Sequence, residues 1–193
     1  MNSVISEDVS NLAYLGWVLQ ESGFETAFIE ADAHPEQPYE QLLVHSRQDK
    51  QGQPVTVRLL FAEDVLRAIY RQAGQDIPES HSAMLQFTIW LPELRQFPAE
   101  RMAELDQLLN ALNQQTSYGV FAFNSLDGIH FRHTLAVPQE DPDARLVAEV
   151  ISGLAFQSLR FQPHLQALAK GQAPLATILK KVQSQAGDSH AHH

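Results

Sequence analysis

Nine histidines, several spaced carboxylates and a Ser/Asp/His group are the side chains through which this sequence could do chemistry. His130 and His133 fall in GIHFRHTLAV, a stretch that alternates like a strand. Three residues apart, they point to opposite faces and cannot chelate one ion without a bulge. His190, His192 and His193 lie in QSQAGDSHAHH, which has no apolar period and reads as a solvated tail or the remnant of a purification tag. His45 sits in EQLLVHSR and reads as a partly buried structural residue. The expectation is no specific metal and no cofactor.

Acid–base chemistry needs two carboxylates converging in a cleft. The pairs are Glu30 with Asp32, beside a loop, and Glu100 with Glu104, in the first turns of a helix. Negative charge there is favoured by the helix dipole, so both pairs read as solvated charge. Ser125, Asp127 and His130 have the residue types of a hydrolase triad, yet they crowd one hairpin turn and no G-x-S-x-G is present. Turn chemistry accounts for Ser125 and Asp127. The nine glycines are scattered without a phosphate-cradling motif. Arg58 and Arg132 form no basic stripe, and Phe121 and Phe123 alternate as core residues do, so an RNA-binding sheet is not expected. The chain is therefore expected not to be an enzyme.

Composition narrows the classes further. Of 193 residues, 44% are hydrophobic, enough for one sizeable core. A net charge of -10, from 23 acidic and 13 basic side chains, disfavours nucleic acid and anionic membranes as partners. With no cysteine, a disulfide framework and a thiolate nucleophile are excluded. The opening MNSVISEDV lacks a basic leader and no run is long enough to span a bilayer, which sets the expectation of a cytoplasmic protein.

The elements that would position any site follow from periodicity. A helix capped by Ser6 is expected to run to about residue 22, ended by Gly23, with Val9, Leu12, Leu15, Gly16 and Leu19 among its core-side residues. Strands follow at FETAFIEAD, EQLLVHSR and PVTVRLLF, the last two forming a hairpin; 34–38 is a loop. Residues 62–74 switch to helical period, with Val65, Leu66, Ile69, Tyr70 and Ala73 as the apolar side and Glu63 four before Arg67. AMLQFTIWLP then alternates, Leu85, Phe87, Ile89 and Leu91 opposing Gln86, Thr88 and Trp90. A helix is expected over 98–115, then a hairpin of YGVFAFN and GIHFRHTLAV turning at Asp127-Gly128. Asp141 and Pro142 open a helix whose Leu146, Val150, Leu154 and Phe161 face a sheet, and Pro163 breaks or kinks it. One or two short helices complete the chain. The expected fold is a single α+β domain over 1–185, an antiparallel sheet of five or six strands packed with helices, with a flexible His-containing tail at 186–193.

Surplus apolar surface is the remaining functional signal. On the 98–115 helix, Met102, Leu105, Leu108, Leu109 and Leu112 make a stripe broader than one sheet needs, and Phe121 and Phe123 lie on a strand that is apolar on both faces. These seven residues are the candidate dimer or partner interface.

One stretch resembles a known family. Leu108-Leu109-Asn110-Ala111-Leu112-Asn113, then Tyr118-Gly119-Val120-Phe121, then Asp127-Gly128-Ile129-His130-Phe131-Arg132, together resemble the YbjN-like proteins of the type III secretion chaperone fold. The match covers about residues 95–165 well and the N-terminal helix and strands loosely, and two features depart from it: the helix at 62–74 with its added strand, and a long extension after Pro163. The resemblance implies an acidic, commonly dimeric, non-catalytic protein that binds an extended segment of a partner along apolar surface. The expectation is thus a chaperone-like or adaptor-like homodimer with a protein partner of unknown identity; the alternative is a regulatory or sensory domain holding a small ligand.

Overall fold

The computed structural model describes residues 10–33, 38–48, 52, 54–75, 82–138 and 142–190. In chain order the elements are α1 (Asn11–Glu21), β1 (Glu25–Ile29), β2 (Gln41–Gln48), β3 (Pro54–Phe61), α2 (Ala62–Ala73), β4 (Ser82–Trp90), α3 (Met102–Asn113), β5 (Val120–Asn124), β6 (Gly128–Pro138), α4 (Ala144–Ala169) and α5 (Leu175–His190). Short 3-10 turns at Pro92–Leu94 and Ala99–Arg101 precede α3. The strands form one six-stranded sheet in the order β1-β2-β3-β4-β6-β5. The fold class is α+β, as expected from the periodicity. By contact the chain divides into two compact units, 1–88 with 134–152 and 89–133 with 153–193.

In the first unit, β1, β2, β3 and β4 pair antiparallel in sequence order. The register aligns Leu42 with Leu59 and Val44 with Val57, and Leu59 with Phe87, so every second side chain stacks on one face. All five are fully buried. Burying each stabilises the unit by roughly 1.5–3 kcal/mol, which is why alternation alone located these strands. Helix α1 covers that face with Leu12, Leu15, Gly16 and Leu19. Gly16 is there for proximity: a Cβ would lie 2.8 Å from Leu42 Cδ1. Ser10 is the cap, its Oγ accepting from the Ala13 N–H at 3.2 Å; Ser6 lies outside the described residues. His45 bonds across the β2–β3 pair to Thr56 Oγ1 at 2.8 Å, a structural role.

In the second unit, α3 buries Leu105, Leu108, Leu109 and Leu112. Phe121 stacks on Phe131 with ring centroids 4.3 Å apart and meets Phe161 of α4 edge-on at 6.1 Å. Of the residues that carry the resemblance, Leu108, Leu109, Leu112, Phe121, Ile129 and Phe131 are buried, whereas Asn110, Tyr118, Val120, Asp127 and Arg132 are exposed. Asn113 Oδ1 accepts from the Phe121 N–H at 2.7 Å while its Nδ2 donates to the Phe121 carbonyl at 3.0 Å. Gly128 has φ +78°, and a Cβ there would collide with the Arg95 backbone. Arg101 donates to the Leu168 carbonyl near the end of α4 and, through Nε, to Glu104 at 2.6 Å.

Several boundaries differ from expectation. Helix α4 is capped by Asp143, whose Oδ1 accepts from the Arg145 and Leu146 N–H groups at 2.9 and 3.3 Å; Asp141 is outside the described residues. That shift turns Val147 inward and leaves Leu146 42% exposed. Pro163 neither breaks nor ends α4, which continues through it to Ala169. At the C-terminus, α5 is helical through His190, so most of the stretch expected as a tail continues a helix.

Candidate functional site

The acid–base groupings fall on exposed positions, in an ion pair or in a turn. Glu30 and Asp32 are both exposed, Asp32 in the left-handed region at φ 60° where β1 turns away. Glu104 is paired with Arg101, and Glu100 is exposed on the preceding 3-10 turn. Ser125 and Asp127 are exposed turn residues, and the turn is tied by Asn124, whose Oδ1 accepts from the Leu126 and Asp127 N–H groups at 2.9 and 2.7 Å. His130 is buried, with Nδ1 3.4 Å from the Gly128 carbonyl oxygen. His133 points the other way, edge-on to Tyr118 at 6.2 Å, and burial lowers its pKa. Among the described residues no three side chains of metal-binding type come together.

The seven residues expected to form an interface are largely consumed by the second unit's own packing. Leu105, Leu108, Leu109, Leu112 and Phe121 are buried, and only Met102 and Phe123 are partly exposed. The stripe is broad because α3 packs on more than a sheet; it also meets α5. A partner at these positions would have to open that core.

The sheet's two edge strands differ in how they are finished. On β5 the outward N–H and C=O of Phe121 are both taken by Asn113, which satisfies that position of the edge as a neighbouring strand would. On β1 no such clamp exists among the described residues. The Phe24 N–H bonds to Leu19 O at 3.0 Å and the Thr26 carbonyl accepts only a long 3.4 Å bond from Gln20 Nε2, so residues of this parity turn away from β2. By alternation the N–H and C=O of Phe28 also point out of the sheet edge. The Phe28 side chain is 37% exposed, and Glu21, Glu25, Glu30 and Asp32 make the surroundings acidic and exposed.

Helix α2 holds the larger surprise. Periodicity marks one apolar side, yet that side faces outward: Leu66 is 48% and Ile69 55% exposed, with Ala73 exposed beyond them. The opposite side, Asp64, Arg67, Ala68 and Arg71, lines a cavity of about 360 Å³ that Ser10, Asn11, Tyr39 and Glu40 also border. Glu63 does not pair with Arg67 as expected. Its carboxylate accepts from the Met84 N–H at 2.8 and 3.0 Å, and Asp64 takes Arg67 at 3.2 Å instead. Burial pushes the Asp64 carboxyl above its ordinary value; Arg67 opposes the rise, and Glu40 and Glu63 reinforce it.

Among the described residues no helix is long and apolar enough to cross a membrane. No protein-family model matches the chain, and no curated protein is significantly similar to it in sequence.

Proposed function

We propose that this chain is a non-enzymatic, chaperone-like or adaptor-like module that holds an extended segment of a protein partner by strand addition to β1. The observation that carries the reading is the contrast between the sheet edges: β5 is clamped at Phe121 by Asn113, whereas β1 presents the backbone of Phe28 without a clamp among the described residues. Main-chain bonding would supply affinity and alternate side chains specificity. The acidic rim around β1 favours a segment carrying Lys or Arg between apolar residues. The resemblance to secretion chaperones supports the binding of an extended partner segment along apolar surface.

Proline is the discriminating substitution. In Phe28→Pro the lost N–H is an outward one, so the β1–β2 ladder survives while an added strand loses a donor. The protein is isolated with the partner that co-purifies near equal stoichiometry, and amide exchange is followed with and without it. The expected result is protection of Thr26 and Phe28 amides on binding and loss of the partner in the folded Phe28→Pro protein. Tight binding that leaves both amides unprotected rejects strand addition.

A second reading has one observation behind it. The cavity under α2 is of ligand size and carries convergent polar groups, which suits a regulatory or sensory domain holding a small molecule. A single compound that raises Tm without any protein partner, and fails to do so in Arg71→Ala, would favour it.

A further inference from the structure

Helix α2 sets charge at regular intervals along the cavity it covers. Asp64, Arg67 and Arg71 follow at spacings of three and four, the period that keeps side chains on one helix face, and all three line the cavity together with Asp32 and Glu40. Asp64 and Arg71 are seven residues apart, about 10 Å along the helix axis. The lining therefore has a carboxylate pole and a guanidinium pole. It also includes the buried side chains of Leu12, Phe61, Ala68 and Ala83, an apolar surface suited to a hydrocarbon stem.

What the cavity fits depends on which of its charges are already spent. Arg67 is paired with Asp64 at 3.2 Å, and the Glu63 carboxylate accepts from the Met84 N–H. The side chains of Asp32, Glu40 and Arg71 have no ion-pair or hydrogen-bond partner among the described residues. Two carboxylates and one guanidinium are thus left to a ligand. Burial holds the Asp64 pKa up, and Glu40 and Glu63 add to the rise despite Arg67, so the carboxylate pole is short of positive charge. A metal ion is a poor match, because no three side chains of metal-binding type converge among the described residues. A simple anion would meet two carboxylates for one guanidinium, and a diamine would leave Arg71 unused. A molecule with one carboxylate and two ammonium groups matches all three. A stem of four methylenes with a charged hydrogen bond of roughly 2.8 Å at each end is of the same order as the distance between the poles.

We propose that the cavity under α2 binds a free basic amino acid, lysine or a close homologue, with its carboxylate on Arg71 and its side-chain ammonium on Glu40, leaving Asp32 for the α-ammonium. The proposal rests on the reading of this cavity as a small-molecule site and is independent of strand addition at β1.

Isothermal titration calorimetry on the full chain, near neutral pH, compares L-lysine with three analogues that each lack one charge: cadaverine, L-norleucine and Nα-acetyl-lysine. Lysine is expected to bind one molecule per chain, and each analogue at least about tenfold more weakly, the worth of one hydrogen bond to a charged group. Arg71→Ala is expected to weaken lysine to the level of cadaverine and leave cadaverine unchanged. Glu40→Gln is expected to weaken lysine to the level of norleucine and leave norleucine unchanged. Both variants replace unpaired side chains, so their circular dichroism is expected to match wild type. Lysine that does not bind at about 10 mM overturns the proposal, as does lysine binding that neither substitution weakens. Nα-acetyl-lysine that binds as tightly as lysine overturns the free amino acid, since that probe mimics the C-terminal end of a peptide. The reading of the cavity fails separately. If L-glutamate or norleucine raises Tm in wild type but not in Arg71→Ala, while lysine does neither, the cavity holds a small molecule and the basic amino acid alone is rejected.

Discussion

Asp64 is a single carboxyl held where its charged form is disfavoured, and that has a readable consequence. Its pKa is raised mainly by burial, against the opposing pull of Arg67. An acid with a folded pKa above its unfolded one binds its proton more tightly in the folded state, so protonation stabilises the fold. The penalty is complete above the raised folded pKa and is relieved as pH falls toward the ordinary value of 3.8. Asp64→Asn, which has no charge to bury, is therefore expected to show a Tm advantage over wild type, or its smallest deficit, at pH 7–8. That difference should shift in favour of wild type as pH is lowered to about 4. Thermal melts of both proteins across the range check it; a difference independent of pH would mean Asp64 is as well solvated as in the unfolded chain. This residue was invisible in the sequence, where Asp64 was one of two acids in a first turn. By contrast the opposite orientation of His130 and His133 was legible, because strand parity is a local property that tertiary packing does not alter.

Elements were legible where the period is strong, and their orientation was not. Alternation over Leu85, Phe87, Ile89 and Leu91 located β4 and its buried face, all four being buried. For α2 the same reasoning found the helix and its apolar side but not which way that side faces, since an apolar stripe has a direction on the helix but none in the molecule. Caps slipped for a related reason. Ser6 and Ser10 have the same chemistry, as do Asp141 and Asp143, and only the register of buried residues selects among them. Pro163 shows the limit of a local rule. It sits exposed inside α4, flanked by the buried Phe161, His164 and Leu165, and helical packing on both sides outweighs the missing N–H. Because the ring itself is exposed, Pro163→Ala is expected to stabilise the protein by about 1–3 kcal/mol, measured as a higher urea midpoint with unchanged slope. No gain would show that the proline's fixed φ matters more in the unfolded chain than the hydrogen bond it removes.

At the scale of the whole molecule, the division into two compact units does not follow any break in the chain's elements. The boundary at 88/89 falls inside β4, that at 133/134 inside β6, and that at 152/153 inside α4. A strand or helix melts over a stretch longer than the few residues on either side of such a point, because propagation along an element is cooperative. Each of these three elements therefore contributes residues to both units. The chain carries two tryptophans, and they fall one on each side: Trp17 in α1 belongs to the first unit and Trp90, at the end of β4, to the second. Trp17→Phe and Trp90→Phe thus give proteins whose fluorescence reports one unit each. Their urea transitions are expected to coincide with each other and with that followed by circular dichroism, as a two-state chain requires. Midpoints separated by more than the small offset each substitution introduces would show that the shared strands and helix fray at the boundary instead of transmitting the transition. The backbone amides of β4, β6 and α4 would then exchange through two separate openings, with the break in protection located near residues 88, 133 and 152.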